Sequence, residues 1–194
     1  MNCLQPNKLW AIIPAAGSGS RFSKTELKQY QTILDKTVLE HTIARLNILP
    51  LTGYVLAIGQ QDNIAKNLPL SNKEKAHFCL GGQERVHSVL NALQYLLEIA
   101  SEDDWVFVHD AARPCVSESS LIQLVETAIL KNTSAILAIQ VRDTLKYVAD
   151  QPKIEKTVSR DYLWQAQTPQ ITRQEMLKSA IEKALAHNIV ITDE

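Results

Sequence analysis

One short apolar run and the loop after it constrain the fold of this chain more than any other feature. Residues 9–13 are apolar throughout, which is long enough for one buried strand and too short for a core helix. We expect the strand to end at Pro14, because proline has no N–H to donate to a sheet ladder. Positions 15–19 are all small, so another molecule can approach the backbone closely there. Since Arg21 and Lys28 follow, the stretch predicts a loop that holds a polyphosphate between backbone N–H groups and two cations.

Two familiar phosphate loops do not match this stretch. The P-loop ends in Gly-Lys-Ser or Gly-Lys-Thr, and the chain has neither triplet. The dinucleotide fingerprint needs a third glycine, and Phe22 stands in that place. A plain strand-to-helix turn followed by two solvated cations therefore stays open as an alternative.

Length and composition bound the class of protein. A chain of 194 residues that is 45% hydrophobic and 21% charged suits a single α/β domain. A net charge of -1 gives no general basic surface, so we expect no nucleic-acid partner. The three cysteines form no CxxC pair and the five histidines no HExxH, which favours reduced thiols and no protein-held metal. No apolar run is long enough to span a membrane and no signal peptide is apparent, so we expect a cytoplasmic protein without a membrane partner.

Apolar runs and amphipathic segments alternate along the chain. Strands are predicted at 9–13, 53–59, 75–80, 104–109 and 134–141, and helices at 37–46, 86–97, 117–130 and 172–187. This alternation predicts an α/β, three-layer, Rossmann-like fold with a mostly parallel sheet. Residues 164–170 return to the sheet and 189–191 begin another strand. In the last helix we expect Met176, Ile181 and Leu185 to face inward.

The segment 142–161 has a different pattern. Residues 143–148 and 154–159 alternate on either side of an Asp-Gln-Pro turn, which predicts a β-hairpin. The hairpin offers little apolar surface to a core, so it projects as an arm and needs a partner to pack against. We therefore expect one domain over 1–194, with 142–161 as an arm for dimerisation.

Two further loops are candidate binding sites. Gly81 and Gly82 lie just before a helix, where a ligand can meet backbone N–H groups. Asp110 and Arg113 follow a buried strand, and ligands of open α/β sheets bind beyond the carboxyl ends of the strands. Taken alone, the glycines are also compatible with a simple turn, and the Asp–Arg pair with a brace for its loop.

Seven segments, in this order, carry a specific resemblance: PAAGSGSR with Lys28-Gln29-Tyr30, GGQER followed by Ser88, VHDAARP, VRDTLK, TVSR, LWQAQTPQ and the terminal ITDE. Over essentially the whole chain they resemble the family of 2-C-methyl-D-erythritol 4-phosphate cytidylyltransferases, of the non-mevalonate isoprenoid pathway. The first segment marks the wider group of sugar-nucleotide transferases, whereas HDAARP with VRDT points to this member. The fold implied is the nucleotidyltransferase one.

The resemblance implies a reaction and a nucleotide site. The phosphate of methylerythritol phosphate attacks the α-phosphorus of CTP, and pyrophosphate leaves, so that catalysis is alignment plus charge stabilisation. Arg21 and Lys28 match the catalytic cations of the family. The positions that match the CTP-binding residues are Ala15, Ala16, Gly17, Gly19, Gly82, Gln83 and Ser88. Mg²⁺ would be bound mainly through the CTP phosphates, with no protein ligand of its own.

The resemblance also implies the acceptor side and the assembly. The matching substrate-side positions are Asp110, Arg113, Thr168 and Thr192. Thr144 and Arg160, from the arm, would reach into the site of the neighbouring subunit of a homodimer. The family continues past the final Thr-Asp-Glu into another helix and strand with a further phosphate-binding lysine. We therefore expect weaker CTP binding and slower turnover here than in a longer relative.

Two alternatives remain. Ribitol-phosphate cytidylyltransferases share much of this motif set, and other nucleotidyltransferases share the first loop. A non-catalytic nucleotide-binding protein, truncated at its C-terminus, is the alternative from another class.

Overall fold

The computed structural model describes residues 8–17, 27–150 and 152–191. The strands are β1 (Leu9–Pro14), β2 (Thr32–Ile33), β3 (Lys36–Thr37), β4 (Gly53–Ile58), β5 (Ala76–Leu80), β6 (Trp105–Val108), β7 (Ala135–Gln140), β8 (Leu145–Val148), β9 (Ile154–Val158) and β10 (Trp164–Arg173). The α-helices are α1 (Val38–Leu46), α2 (Arg85–Leu96), α3 (Glu118–Lys131) and α4 (Gln174–Ala186). No helix within these ranges is long and apolar enough to cross a membrane.

A six-stranded sheet in the order β5-β4-β1-β6-β10-β7 forms the centre of the molecule. β4 pairs in parallel with β5 and β1, and β1 pairs in parallel with β6. β10 is antiparallel to both of its neighbours, so β7 runs in the same direction as β6. The predicted α/β fold with a mostly parallel sheet is confirmed.

Helices cover both faces of this sheet, as the continuous apolar run of β1 requires. Ala11 and Ile13 lie in one buried cluster, whereas Trp10 and Ile12 lie in another, because successive strand side chains point to opposite faces. The first cluster includes residues of α1 and α3, and the second includes residues of α2 and α4. A strand buried on both faces is a continuous apolar run, which explains the sequence of β1.

Local sequence signals set several boundaries. Thr37 caps α1 and exchanges hydrogen bonds with Glu40, which is the capping box that a Thr-x-x-Glu sequence forms at the start of a helix. Pro14 is the last residue of β1, opposite Ala57.

Two expectations about the C-terminal region are wrong. Met176 is 58% exposed, because Leu177, Ile181 and Leu185 form the inner stripe and Met176 lies about 100° away from it around the helix. Residues 189–191 form no strand: Ile189 N–H donates back to the carbonyl of Ala184, which ends the helix, and Ile191 packs against the second cluster without a strand partner.

The predicted hairpin forms. β8 and β9 pair antiparallel with each other as a separate two-stranded sheet, with Leu145 opposite Val158. Most of its residues are exposed. Its role as a dimerisation arm stays a prediction.

Candidate active site

Loops that follow the parallel strands meet at one edge of the sheet. Residues 15–17 follow β1, Gly59 follows β4, residues 81–82 follow β5, and residues 109–113 follow β6. Because these four strands are parallel, all of these loops lie at their carboxyl ends, where open α/β sheets bind ligands.

The loops after β1 and β5 are in direct contact. The N–H of Ala15 donates to the carbonyl of Ala57 (2.8 Å), and the N–H of Gly81 donates to that of Ile58 (2.8 Å). A Cβ atom at Gly81 would lie 2.2 Å from the Cβ of Ala16, so this contact requires glycine. Two of the sequence-predicted nucleotide loops are therefore brought together.

The side chain of Ser88 braces the second loop. The N–H of Gly82 donates to Ser88 Oγ (3.0 Å), and that hydroxyl donates to the carbonyl of Glu84 (3.3 Å). Ser88 is 2% exposed, whereas Gln83 is exposed. The hydroxyl thus fixes the loop to the first turn of α2, and a contact of Ser88 with a nucleotide stays a prediction.

Lys28 belongs to a short 3₁₀ turn, Lys28–Tyr30, which is attached to the first loop. The buried amide of Gln29 donates to the carbonyl of Ala15 (2.9 Å), while Lys28 itself is exposed. Gln29 was not among the predicted site residues, although it belongs to the same motif. Arg21, Gly19 and Thr192 lie outside the described residues.

A carboxylate between two guanidinium groups marks the third loop. Asp110 Oδ1 lies 3.0 Å from both Nε and Nη2 of Arg85, and Asp110 Oδ2 lies 2.8 Å from Nε of Arg113. Arg113 Nη1 also donates to Oε1 of Gln167 on β10 (3.0 Å). Asp110 and Arg113 therefore pair, as the brace interpretation expected. Arg85 and Gln167 were missed as site residues, although the GGQER and LWQAQTPQ segments contain them.

A buried histidine holds the loop after β6 in place. His109 is fully buried, and its Nε2–H donates to the carbonyl of Arg113 (2.9 Å). Burial lowers the pKa of His109, so the ring is neutral at pH 7 and adds no charge beside the two arginines. On the side of α1, the hydroxyl of Thr42 lies 3.0 Å from the carbonyl of Ala111. The loop that carries Arg113 is therefore held on two sides.

The remaining predicted residues are less closely connected. Thr168 lies where β10 shifts register against β7, and its buried hydroxyl has no partner among the described residues. Thr144 and Arg160 are exposed at the base of the hairpin, where the Arg160 guanidinium donates to the carbonyl of Arg142. Within the described ranges, no hydrogen bond or ion pair joins Thr144 or Arg160 to Asp110 or Arg113.

The acidic and sulfur-bearing side chains do not build a metal cage in the described part of the chain. Residues 8–17, 27–150 and 152–191 contain no group of three or more His, Cys, Asp or Glu that could hold an ion. The carboxylate of Asp110 is already engaged by two guanidinium groups. These residues therefore fit a metal only where another molecule supplies most of its oxygen ligands.

A mostly parallel α/β sheet with a small-residue loop, a lysine and an arginine-rich group at its carboxyl edge is the arrangement of a nucleotidyltransferase. The chain belongs to the 2-C-methyl-D-erythritol 4-phosphate cytidylyltransferase family, whose model matches residues 9–194. The predicted family, enzyme class and function are confirmed.

Relatives and solved structures agree with this assignment. The 2-C-methyl-D-erythritol 4-phosphate cytidylyltransferase of Acinetobacter baumannii (strain SDF) is 70% identical over 187 residues, which are 96% of this chain and 79% of the relative. That of Tolumonas auensis is 45% identical and covers 95% of this chain and 79% of the relative. The crystal structure of the Francisella tularensis protein of the same name has a TM-score of 0.80 at 36% identity, over 96% of this chain and 83% of that one.

Proposed function

We propose that this chain joins CTP and 2-C-methyl-D-erythritol 4-phosphate at the carboxyl edge of the sheet. The products are 4-diphosphocytidyl-2-C-methyl-D-erythritol and pyrophosphate. The observation that carries this location is the contact of Ala16 with Gly81, which joins the two nucleotide-side loops beside the pair of Asp110 and Arg113. An oxygen of the acceptor phosphate bonds to the α-phosphorus, and the bond from that phosphorus to the bridging oxygen of the β-phosphate breaks.

The first loop and its cations form the triphosphate side of the proposed site. Gly17 is exposed, and a Cβ atom there would meet nothing within 4 Å, so open space lies beside this backbone. Lys28 is exposed on the turn that Gln29 attaches to the loop. Together with Arg21, Lys28 would hold the phosphates and stabilise the charge that develops during transfer.

The group around Asp110 forms the acceptor side. Two arginines and one carboxylate carry a net charge of +1, which favours a phosphate monoester. Arg113 is half exposed and can reach such a ligand, while the remaining lone pairs of Asp110 suit the hydroxyl groups of a polyol. Thr168, whose buried hydroxyl has no described partner, supplies a further polar group on this side.

We propose that magnesium is bound through the CTP phosphates. The ion prefers to keep several waters and to bind phosphate oxygens, and the described residues leave no carboxylate cluster to hold it. When bound, it supplies neutralisation of phosphate charge. The alignment of the reacting groups is the work of the chain itself.

We also propose a homodimer in the cytoplasm. Large apolar side chains are exposed on the hairpin and on the two strands that flank it in the sequence: Tyr147 on the hairpin, Ile139 on the edge strand β7, and Trp164, 61% exposed, on β10. Exposed apolar side chains of this kind favour a protein partner. Thr144 and Arg160 would then complete the site of the partner subunit. The free thiols of Cys79 and Cys115 are compatible with a reducing compartment.

The test is release of pyrophosphate from CTP and 2-C-methyl-D-erythritol 4-phosphate. Ribitol phosphate replaces the acceptor in one control, and ATP replaces CTP in another. We expect turnover with the first pair only. Turnover with ribitol phosphate but not with 2-C-methyl-D-erythritol 4-phosphate would refute the proposed acceptor. CTP binding without any pyrophosphate release would favour the non-catalytic alternative.

A further inference from the structure

Arg85 occupies a position that is unfavourable for a cation. It is the first residue of α2, where the helix dipole is positive, and the first turn contains no acidic residue. The N-cap residue Glu84 makes no capping hydrogen bond with its side chain. A residue that goes against the local preference of its helix is expected where function requires it.

Asp110, a residue of the proposed acceptor side, is a partner of Arg85. Nε and Nη2 of Arg85 both lie 3.0 Å from Oδ1 of Asp110, which leaves Oδ2 for Nε of Arg113 at 2.8 Å. Arg113 is then free to place Nη1 on Oε1 of Gln167 at 3.0 Å. The three side chains Arg85, Asp110 and Arg113 thus form a line from α2 to β10.

The nucleotide-side loop is fixed to the same turn of α2. Gly82 N–H bonds to the hydroxyl of Ser88, and this hydroxyl bonds to the carbonyl of Glu84, the residue before Arg85. The position of the Arg85 backbone is therefore set by the loop proposed to hold CTP.

We propose that Arg85 is a positioning residue that orients the guanidinium of Arg113 for the acceptor phosphate, acting through Asp110. This inference rests on the proposed function. Without Arg85, both carboxylate oxygens of Asp110 would be available to Arg113, and a planar guanidinium forms a two-bond fork with a carboxylate when it can. Arg113 would then turn away from Gln167, and the net charge of the group would fall from +1 to zero.

The experiment measures turnover and, by calorimetry, the Kd for 2-C-methyl-D-erythritol 4-phosphate and for CTP. For Arg85→Gln we expect the Kd for the acceptor to rise about tenfold, while the Kd for CTP changes less than about twofold. The Kd of Arg85→Lys for the acceptor should lie between that of the unsubstituted chain and that of Arg85→Gln, because an ammonium can pair with Asp110 without the geometry of the guanidinium. Lys178→Gln, which removes an ion pair with Glu182 on α4, should change neither value.

A double-mutant cycle separates positioning from direct contact. Adding Arg85→Gln to Arg113→Gln should cost nothing further in acceptor binding, because Arg85 acts through Arg113. Independent, additive losses would overturn the inference, and so would equal losses for CTP and acceptor, which indicate a merely structural role. The proposed function is tested separately, by turnover of the unsubstituted chain. If the Arg85→Gln variant has normal turnover, only the proposed role of Arg85 is refuted.

Discussion

Replacing Gly81 with alanine should separate the two loops of the nucleotide side. The new Cβ would lie 2.2 Å from Ala16 Cβ, 3.0 Å from Ser88 Oγ and 3.4 Å from the carbonyl of Ala57. The optimal separation of two non-bonded carbon atoms is about 3.5–4.0 Å, so the loops must move apart by roughly 1.5 Å. Neither the methyl group of Ala16 nor the new Cβ at position 81 can rotate away, so the backbones themselves must move.

The cost follows from overpacking a well-packed contact. Such insertions destabilise by about 1–3 kcal/mol, and each kcal/mol lowers the Tm of a chain of this size by about 2–4 °C. We therefore expect a Tm lower by roughly 4–8 °C for a middle value of the cost. A displacement of about 1 Å in a positioned group can reduce turnover about 10²-fold, so CTP affinity and kcat should fall as well.

The assay combines thermal unfolding, calorimetry with CTP and pyrophosphate release. Gly59→Ala is the matched control, since Gly59 also follows a strand at this edge and a Cβ there would meet nothing within 4 Å. If Gly81→Ala and Gly59→Ala have the same Tm and the same CTP affinity, the contact between the loops neither stabilises the fold nor positions the nucleotide.

Four further predictions concern single groups. Lys28→Ala should keep the fold and lower kcat about 10²-fold or more, or ~3 kcal/mol, because it removes a preorganised charge; near-normal turnover would make Lys28 a solvated cation. A mixture of Lys28→Ala and Arg160→Ala proteins should recover activity, since one hybrid site keeps both residues; no recovery after proven subunit exchange would contradict shared sites. Because burial lowers the pKa of His109, the unfolded state binds more protons, so the free energy of unfolding should be highest above about pH 6.5 and fall below it. In urea titrations above and below this pH, the free energy of unfolding of His109→Gln should fall less than that of the unsubstituted chain, and an equal fall would assign the effect to another group. Burial raises the pKa of Cys79 to about 11, so only about one Cys79 thiol in a thousand is ionised at pH 8. Iodoacetamide should therefore label the exposed Cys115 before Cys79, as followed by peptide mass spectrometry. Equal labelling rates for the two thiols would contradict this prediction.

Structural elements that depend only on residues close together in the sequence could be predicted. The apolar run of β1, the capping box of Thr37 and Glu40 and the pairing of β8 with β9 all follow from local patterns. Met176 shows the limit of such reasoning, because two apolar stripes compete on one amphipathic helix and only packing selects the buried one. The two-residue turn of Leu34 and Asp35, with φ of 47° and 64°, joins β2 to β3 without the Asn-Gly signal that would have indicated it.

The candidate site was predicted as a set of motifs and not as a set of contacts. The motifs named Asp110 and Arg113 together, since they are neighbours in one loop. The pairing of Arg85 with Asp110, across 25 positions, and that of Arg113 with Gln167, across 54, were not predicted. Gln29 was likewise missed as the group that holds the Lys28 turn to Ala15.

The sequence by itself determined that most of the strands and helices form, which loops are small enough for a ligand to approach, and to which family the chain belongs. Those properties reside in residue types and short spacings. The tertiary structure alone decided that β10 enters antiparallel between β6 and β7, and that α2 begins beside the end of β6. Strand order and register depend on the simultaneous packing of distant segments around two clusters on opposite faces of the sheet. That packing places Arg85 on Asp110 and Gly81 on Ala16, because no local pattern encodes which loops meet at the edge of a sheet.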